Sequence, residues 1–271
     1  MMACIMLALR SIGDVLTTLA RARHIDVQAY TLHGPVLAAV EVAARRGAEV
    51  TVELEGRPFE SSSGHLAAEN RRLARELRAA GAVTRLGHPL HAKAIVADGT
   101  LYLDEKNWGK CDLVLREDDP AGARAIPMDK RDALAREANL LSGARAGDDA
   151  IVESESFGSF NVVEHALAAL GLAGASPRLL VSERELRADA RERNLLNRLI
   201  CEGVRVRVCA DSEKLAAAGD RAWLGSANAT SPYGHGAMTD WGITTGNAAI
   251  VGAVRARLER QWTTARPLNL D

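Results

Sequence analysis

An order of strands and helices that recurs in both halves of the chain constrains the fold more than any other feature. In the first half, Ile25-Asp-Val-Gln-Ala-Tyr30 alternates as a strand does. Gly34-Pro35 suits a helix start, and Val36 to Arg46 reads as a helix ended by Gly47. Val50-Thr-Val-Glu-Leu54 is the next strand. Leu66, Leu73 and Leu77 then recur at helical spacing up to Gly81, which resembles a C-terminal cap. Strands at Ala82 to Leu86 and Ala94 to Val96 follow. The second half echoes this order: an apolar helix from Val162 to Leu170 and a strand at Arg178 to Val181. A long charged helix from Glu185 to Cys201 then stops at Gly203, before a strand at Val204 to Val208. Gly81 lies ten residues before His91 and Gly203 nine before Ser212, the near-equality that an internal duplication leaves. Strands alternating with helices predict an α/β fold, two pseudo-repeated halves with mixed sheets flanked by helices.

The expected division is residues 1–115, a linker or crossover at 116–150, and residues 151–271. Pro120, Gly122, Pro127, Gly143 and Gly147 punctuate the middle segment around one polar helix near Met128 to Leu141. Two halves packed in one monomer fit this arrangement better than a dimer sharing one site.

Of the 271 residues, 47% are apolar and 25% charged, an ordinary globular balance. A net charge of −1 gives no global pull toward nucleic acid or anionic membrane, so any polyanion site is local. The arginines at 71, 72, 75 and 78 are interleaved with Glu69 and Glu76, as on a solvated helix face. Aromatics make up only 4%, too few for a wide base-stacking platform. Cys4, Cys111, Cys201 and Cys209 form neither a CxxC pair nor a zinc pattern, which suggests reduced thiols in a cytoplasmic protein. Met1 to Leu9 is apolar but too brief to span a bilayer, and reads as a buried strand or first helical turn. No Walker loop or dinucleotide fingerprint occurs, and no cofactor or metal is expected.

The chemistry concentrates in Leu90-His-Ala-Lys-Ala-Ile-Val-Ala-Asp-Gly99. His91 and Lys93 are two apart, so on an extended chain both side chains point the same way. Neutral imidazole can attack phosphorus, and lysine holds non-bridging oxygens as a compact charge. Asp98, at odd spacing from Lys93 and before a Gly turn, fits a structural anchor better than a third reacting group.

In motif and in order, Ile25 to Asp104 resembles the phospholipase D superfamily: the Ile-x-Val-x-x-Tyr strand, the helix ending Ala-Arg-Arg-Gly, the Val-x-Val-x-Leu strand, then His-x-Lys-(x)4-Asp. The resemblance extends to about Thr245. It implies a metal-independent phosphodiesterase, nuclease-like or phospholipase-like, in which two such motifs meet across a pseudo-twofold axis. One histidine attacks phosphorus to form a phosphohistidine and the other protonates the leaving group. By that resemblance His91, Lys93, Asp98 and Lys214 form the catalytic set. Asn107 supports it in Asp104-Glu-Lys-Asn107, which stands where the family has Gly-Ser-x-Asn. Asp112 then reads as either the histidine's orienting acid or a strand-cap carboxylate.

In the second half Gly225-Ser226-Ala-Asn228 matches the family block, and Asp240-Trp-Gly-Ile repeats Asp112-Leu-Val-Leu. The second histidine, however, is Ser212, and Gly219-Asp220 stands where Asp-Gly is expected. A serine hydroxyl has too high a pKa for a general acid near neutrality. His235 and Glu213 are the candidate replacement acids. A leaving group that departs without such help is a further reading, as is a pseudoenzyme that binds phosphodiesters or nucleic acid on Lys93, Lys214, Ser226 and Asn228.

Overall fold

The computed structural model describes residues 7–58, 64–109, 113–119, 126, 129–145, 147–188, 190–210, 212–233 and 237–268. They form two compact units, Met1–Pro127 with Met238–Asp240, and Met128–Ala237 with Trp241–Asp271.

The first unit holds a seven-stranded mixed sheet in the order β1-β7-β6-β5-β2-β3-β4. Its strands are β1 (Leu7–Arg10), β2 (His24–Ala29), β3 (Glu49–Glu55), β4 (Val83–Gly87), β5 (Ala94–Ala97), β6 (Thr100–Asp104) and β7 (Val114–Glu117). β2, β3 and β4 run parallel, joined by α2 (Gly34–Arg45) and α3 (His65–Ala79), while β5 to β7 form an antiparallel meander. A short α1 (Ile12–Leu19) begins on a reciprocal cap between Ser11 and Asp14.

The second unit holds β8 (Ile151–Ser154), β9 (Arg178–Ser182), β10 (Arg205–Cys209), β11 (Leu215–Ala218), β12 (Arg221–Gly225), β13 (Gly242–Thr245) and β14 (Arg266–Pro267). Their order is β13-β12-β11-β8-β9-β10-β14. Setting aside the edge strands β1 and β14, the two sheets have the same order and the same pairing senses. The α/β fold and the internal duplication are thus both present. α5 (Val162–Leu172) is the counterpart of α2. The helix expected over Glu185 to Cys201 is described as α6 (Glu183–Ala188) and α7 (Ala190–Cys201), with Asp189 between them outside the described residues.

Corresponding glycines stop corresponding helices. After α3, Gly81 takes φ +105°, its N–H donates to Arg78 O, and the next N–H, of Ala82, reaches back to Leu77 O. After α7, Gly203 at φ +92° repeats this with Ile200 O and, through Val204, with Leu199 O. A left-handed residue here satisfies carbonyls that the helix end would otherwise orphan.

The segment expected as a linker contributes the last two residues of β7 to the first sheet and α4 (Lys130–Ser142) to the second unit, where Trp223 Nε1 donates to Ala133 O at 3.1 Å. On the buried side of α4, Glu137 is 1% exposed and has no polar partner among the described residues. Burial pushes its carboxyl well above the ordinary value of 4.5. The folded chain therefore keeps a proton there that the unfolded chain loses above that value. Stability is unpenalised below it and falls as pH rises toward the raised folded value. Glu137→Gln is expected to raise the melting temperature at pH 7 to 8, by roughly 2–4 °C per kcal/mol gained. At pH 4 the two proteins should melt together; a pH-independent difference in calorimetry would refute this account.

Candidate active site

His91, Ala92 and Lys93 form an extended segment leading into β5, and Asp104 N donates to Lys93 O at 3.0 Å. The residues just before it are pinned to Thr239: His91 N donates to Thr239 O at 2.9 Å and Thr239 N to Pro89 O at 3.1 Å. This register brings Asp240, which is fully buried, to the histidine. His91 Nδ1 lies 2.7 Å from Asp240 Oδ1, and His91 Nε2 lies 3.0 Å from Lys93 Nζ. A carboxylate can only accept and an ammonium can only donate, so the pair of contacts assigns the tautomer. Nδ1 carries the proton and Nε2 presents its lone pair. The Tyr30 ring packs edge-on to the imidazole, 5.1 Å between centroids, and Lys93 Nζ stands 5.8 Å from the Tyr30 centroid. Lys93 is 1% exposed and the His91 side chain 13%, so the ring reaches solvent through a narrow window.

Asp98 does not join them. It sits at the far end of β5 in a two-residue Asp-Gly turn, both residues at positive φ, where its carboxylate accepts the N–H groups of Arg23 and His24 at 2.9–3.1 Å. Those bonds, that from His24 foremost, lower its pKa. Grouping Asp98 with the reacting residues is therefore corrected to an anchoring role for β2 against the β5–β6 turn. The second unit ties the equivalent turn without an aspartate. Gly219 N donates to Asp148 O at 2.9 Å, and the Arg255 guanidinium donates to Gly219 O at 2.6 Å and reaches Asp148 O at 3.4 Å. That arginine comes from α8 (Ala248–Thr264), so the absent motif aspartate has a replacement from elsewhere in the chain.

The second unit departs from the first at the equivalent of His91. Gly225 N donates to Lys214 O at 3.3 Å, as Asp104 N does to Lys93 O, which makes Lys214 the counterpart of Lys93. Lys214 is 3% exposed and its Nζ lies 3.0 Å from Glu155 Oε2. Ala94 pairs with Gln28 and Leu215 with Glu153, so Glu155 holds the place that Tyr30 holds in the first unit. Ser212 is buried. Glu213, considered as a replacement acid, is fully buried, paired with the Arg257 guanidinium, and its own N–H donates to Glu153 Oε1 at 3.0 Å. It serves as a structural ion pair instead. Ser226 is also fully buried, and its hydroxyl accepts the Trp241 N–H at 3.1 Å, tying β12 to the chain entering β13. Asn107 and Asn228 each hold a buried amide oxygen with no hydrogen-bond partner among the described residues. Asp112 and His235 lie outside the described residues.

Two features escaped the sequence reading. Glu55, fully buried at the end of β3, holds His88 Nδ1 at 2.8 Å. Asn70, also buried, donates to both Tyr30 O and Glu55 O, at 2.8 and 2.9 Å. The available signal was a carboxylate ending an apolar strand, which has to find partners once buried. Among the described residues no three His, Cys, Asp or Glu side chains gather as metal ligands do, and no helix is long and apolar enough to cross a membrane.

No family model and no curated protein matches the chain. Solved structures do. Phosphatidylserine synthase from Haemophilus influenzae Rd KW20 aligns with a TM-score of 0.67 over 97% of this chain and 87% of its own, at 10% identity. Polyphosphate kinase from Porphyromonas gingivalis aligns with a TM-score of 0.63 over 95% of this chain at 15% identity. The chain spans about half of that kinase, 47% of its length. Both are phospholipase D superfamily proteins, and this chain has their fold.

Proposed function

We propose that the chain is a phospholipase D-like phosphodiesterase, acting by phosphoryl transfer through His91 without a metal or cofactor. The observation that supports this most is the imidazole held between Asp240 and Lys93 in the tautomer that leaves Nε2 nucleophilic. In the first step the Nε2 lone pair attacks phosphorus and the bond to the leaving oxygen breaks, giving a phosphohistidine. The positive charge that develops on the ring is offset by Asp240, while Lys93 shifts from Nε2 to a non-bridging oxygen. In the second step water or an alcohol attacks phosphorus, the P–N bond breaks and His91 is restored. The substrate class is a phosphodiester of a lipid headgroup, a nucleic acid or a small molecule. The setting that fits reduced thiols is the cytoplasm, with both halves in one monomer. Cys201 and Cys209 are free thiols.

A second reading, binding without turnover, draws on Ser212 and on Lys214, whose ammonium pairs with Glu155.

The test is turnover of bis(4-nitrophenyl) phosphate in excess chelator, with acid-labile, base-stable adduct trapped and located by peptide mass spectrometry. The expected result is chelator-resistant turnover with the adduct on His91. A strict metal requirement overturns the proposal. Phosphodiester binding that Lys93→Ala weakens, with no turnover by the native chain, establishes the second reading in its place.

A further inference from the structure

The phosphohistidine route needs a proton for the leaving oxygen, and the second unit supplies Ser212 where the partner histidine is expected. The first unit holds another imidazole within three residues of His91. His88 is anchored by Glu55, whose buried carboxylate accepts the His88 Nδ1–H at 2.8 Å and also the backbone N–H groups of Arg57 and Leu90. Three donors converge on this carboxylate and hold it in one orientation. The His88 side chain is 47% exposed, and its Nε2 has no polar partner among the described residues. A carboxylate at Nδ1 with Nε2 open to solvent is the arrangement that lets an imidazole give and take a proton.

The placement is set by the sheet. β2 and β3 are parallel with Ala29 opposite Leu54, so Tyr30 and Glu55 each follow the last paired residue on neighbouring strands, which lie about 4.8 Å apart. Asn70 clamps their two carbonyls. Tyr30 packs against the His91 ring and Glu55 grips the His88 ring, so adjacent strand ends carry the two imidazoles. Three residues of chain limit their Cα separation to about 11 Å. That short span and the adjacent strand ends are the ground for setting both imidazoles at one phosphodiester.

We propose that His88, oriented by Glu55, is the general acid and base of the His91 reaction. This rests on the phosphohistidine reading above. As His91 Nε2 bonds to phosphorus, the proton on His88 Nε2 passes to the departing alkoxide oxygen, which leaves as the alcohol. Neutral His88 then takes a proton from the incoming water as its oxygen bonds to phosphorus and the P–N bond breaks. Both residues return to their starting states.

A general acid matters most when the leaving group is a poor one. Single-turnover rates of adduct formation would be compared on bis(4-nitrophenyl) phosphate, whose leaving group departs without protonation, and on a 4-nitrophenyl-free dialkyl phosphodiester. His88→Gln, whose amide can still donate to Glu55, is expected to lower the rate on the dialkyl ester about 100-fold more than on the nitrophenyl ester. KM should move little on either. Glu55→Gln is expected to give the same split, smaller in size. An equal loss on both esters, accompanied by a lowered melting temperature, assigns His88 a structural role and overturns the proposal. No loss on either does the same, as does a native chain that cleaves only the nitrophenyl ester. Native rates from His91→Ala on the nitrophenyl ester would instead sink the phosphohistidine reading on which the proposal stands.

Discussion

Replacing His91 by alanine is expected to lower kcat on an activated phosphodiester by about 10^4-fold or more and to abolish the covalent adduct, because on the proposed route it is His91 Nε2 that forms the P–N bond. Affinity should respond differently. Lys93 remains, so binding of inorganic phosphate or tungstate should change by less than about tenfold, which separates loss of the nucleophile from loss of the site. The stability cost has a definite origin too. Alanine leaves Asp240 and Lys93, both buried, without the ring that joins them. Removing one hydrogen-bond partner from a buried polar group costs about 1–3 kcal/mol, more for a charged one. His91→Gln, which can both donate and accept, should recover much of that stability while remaining inactive. Calorimetry and single-turnover kinetics on the two variants check both halves of the expectation. Residual turnover within about tenfold of native in either variant would mean that phosphorus is attacked by something other than His91.

The parts of this fold that could be read from sequence are those with local causes. Alternating residues in β2 and β3, and glycines that must take left-handed backbone after α3 and α7, act within a few residues of themselves. β11 was harder to read because Leu215-Ala-Ala-Ala218 is apolar throughout. A short apolar run lacks a period that tells strand from helix, and alanine by itself favours helix. The site divides along the same line. The pairing of His91 with Lys93 follows from extended geometry over two residues, and parity also set Asp98 apart from them. Asp240 is 149 residues from His91, and nothing local to either announces their contact. Sequence reasoning could name Asp240 as the counterpart of Asp112, but not that its chain segment enters the first unit.

Burial decided the roles that sequence left open. Glu213 was a candidate replacement acid, yet it is fully buried and pairs with Arg257, 44 residues away. Lys214 kept its identity but acquired Glu155, while Lys93 faces Tyr30 at the equivalent place. One substitution, tyrosine for glutamate between equivalent strand ends, separates a lysine beside an aromatic face from a lysine beside a carboxylate. The Arg255 clamp shows the converse: the structural duty of a motif residue can pass to a distant side chain while the turn it holds is kept.

Asp240→Asn is expected to have the second-largest effect on turnover, a loss of about 10^2- to 10^4-fold with little change in overall structure. The asparagine amide fits the same space, but it can offer an N–H to His91 Nδ1 where the carboxylate can only accept. If it does, the imidazole proton moves to Nε2, and the lone pair that should meet phosphorus is lost. Lys93 then faces an N–H rather than an acceptor, so the 3.0 Å contact between Lys93 Nζ and Nε2 cannot persist as a hydrogen bond. Even with the amide turned the other way, the anion that offsets the charged ring in the phosphohistidine is gone. Nitrogen-15 spectra of labelled histidine report the tautomer directly. They should show protonated Nδ1 in the native chain, and a population with protonated Nε2 in the variant. Asp240→Ala removes the partner without supplying a donor, so its deficit isolates the lost charge, and the difference between the two variants measures the tautomer's share. Retention of native rate by Asp240→Asn, with Nδ1 still protonated, would show that the carboxylate is a structural neighbour of His91 and no more.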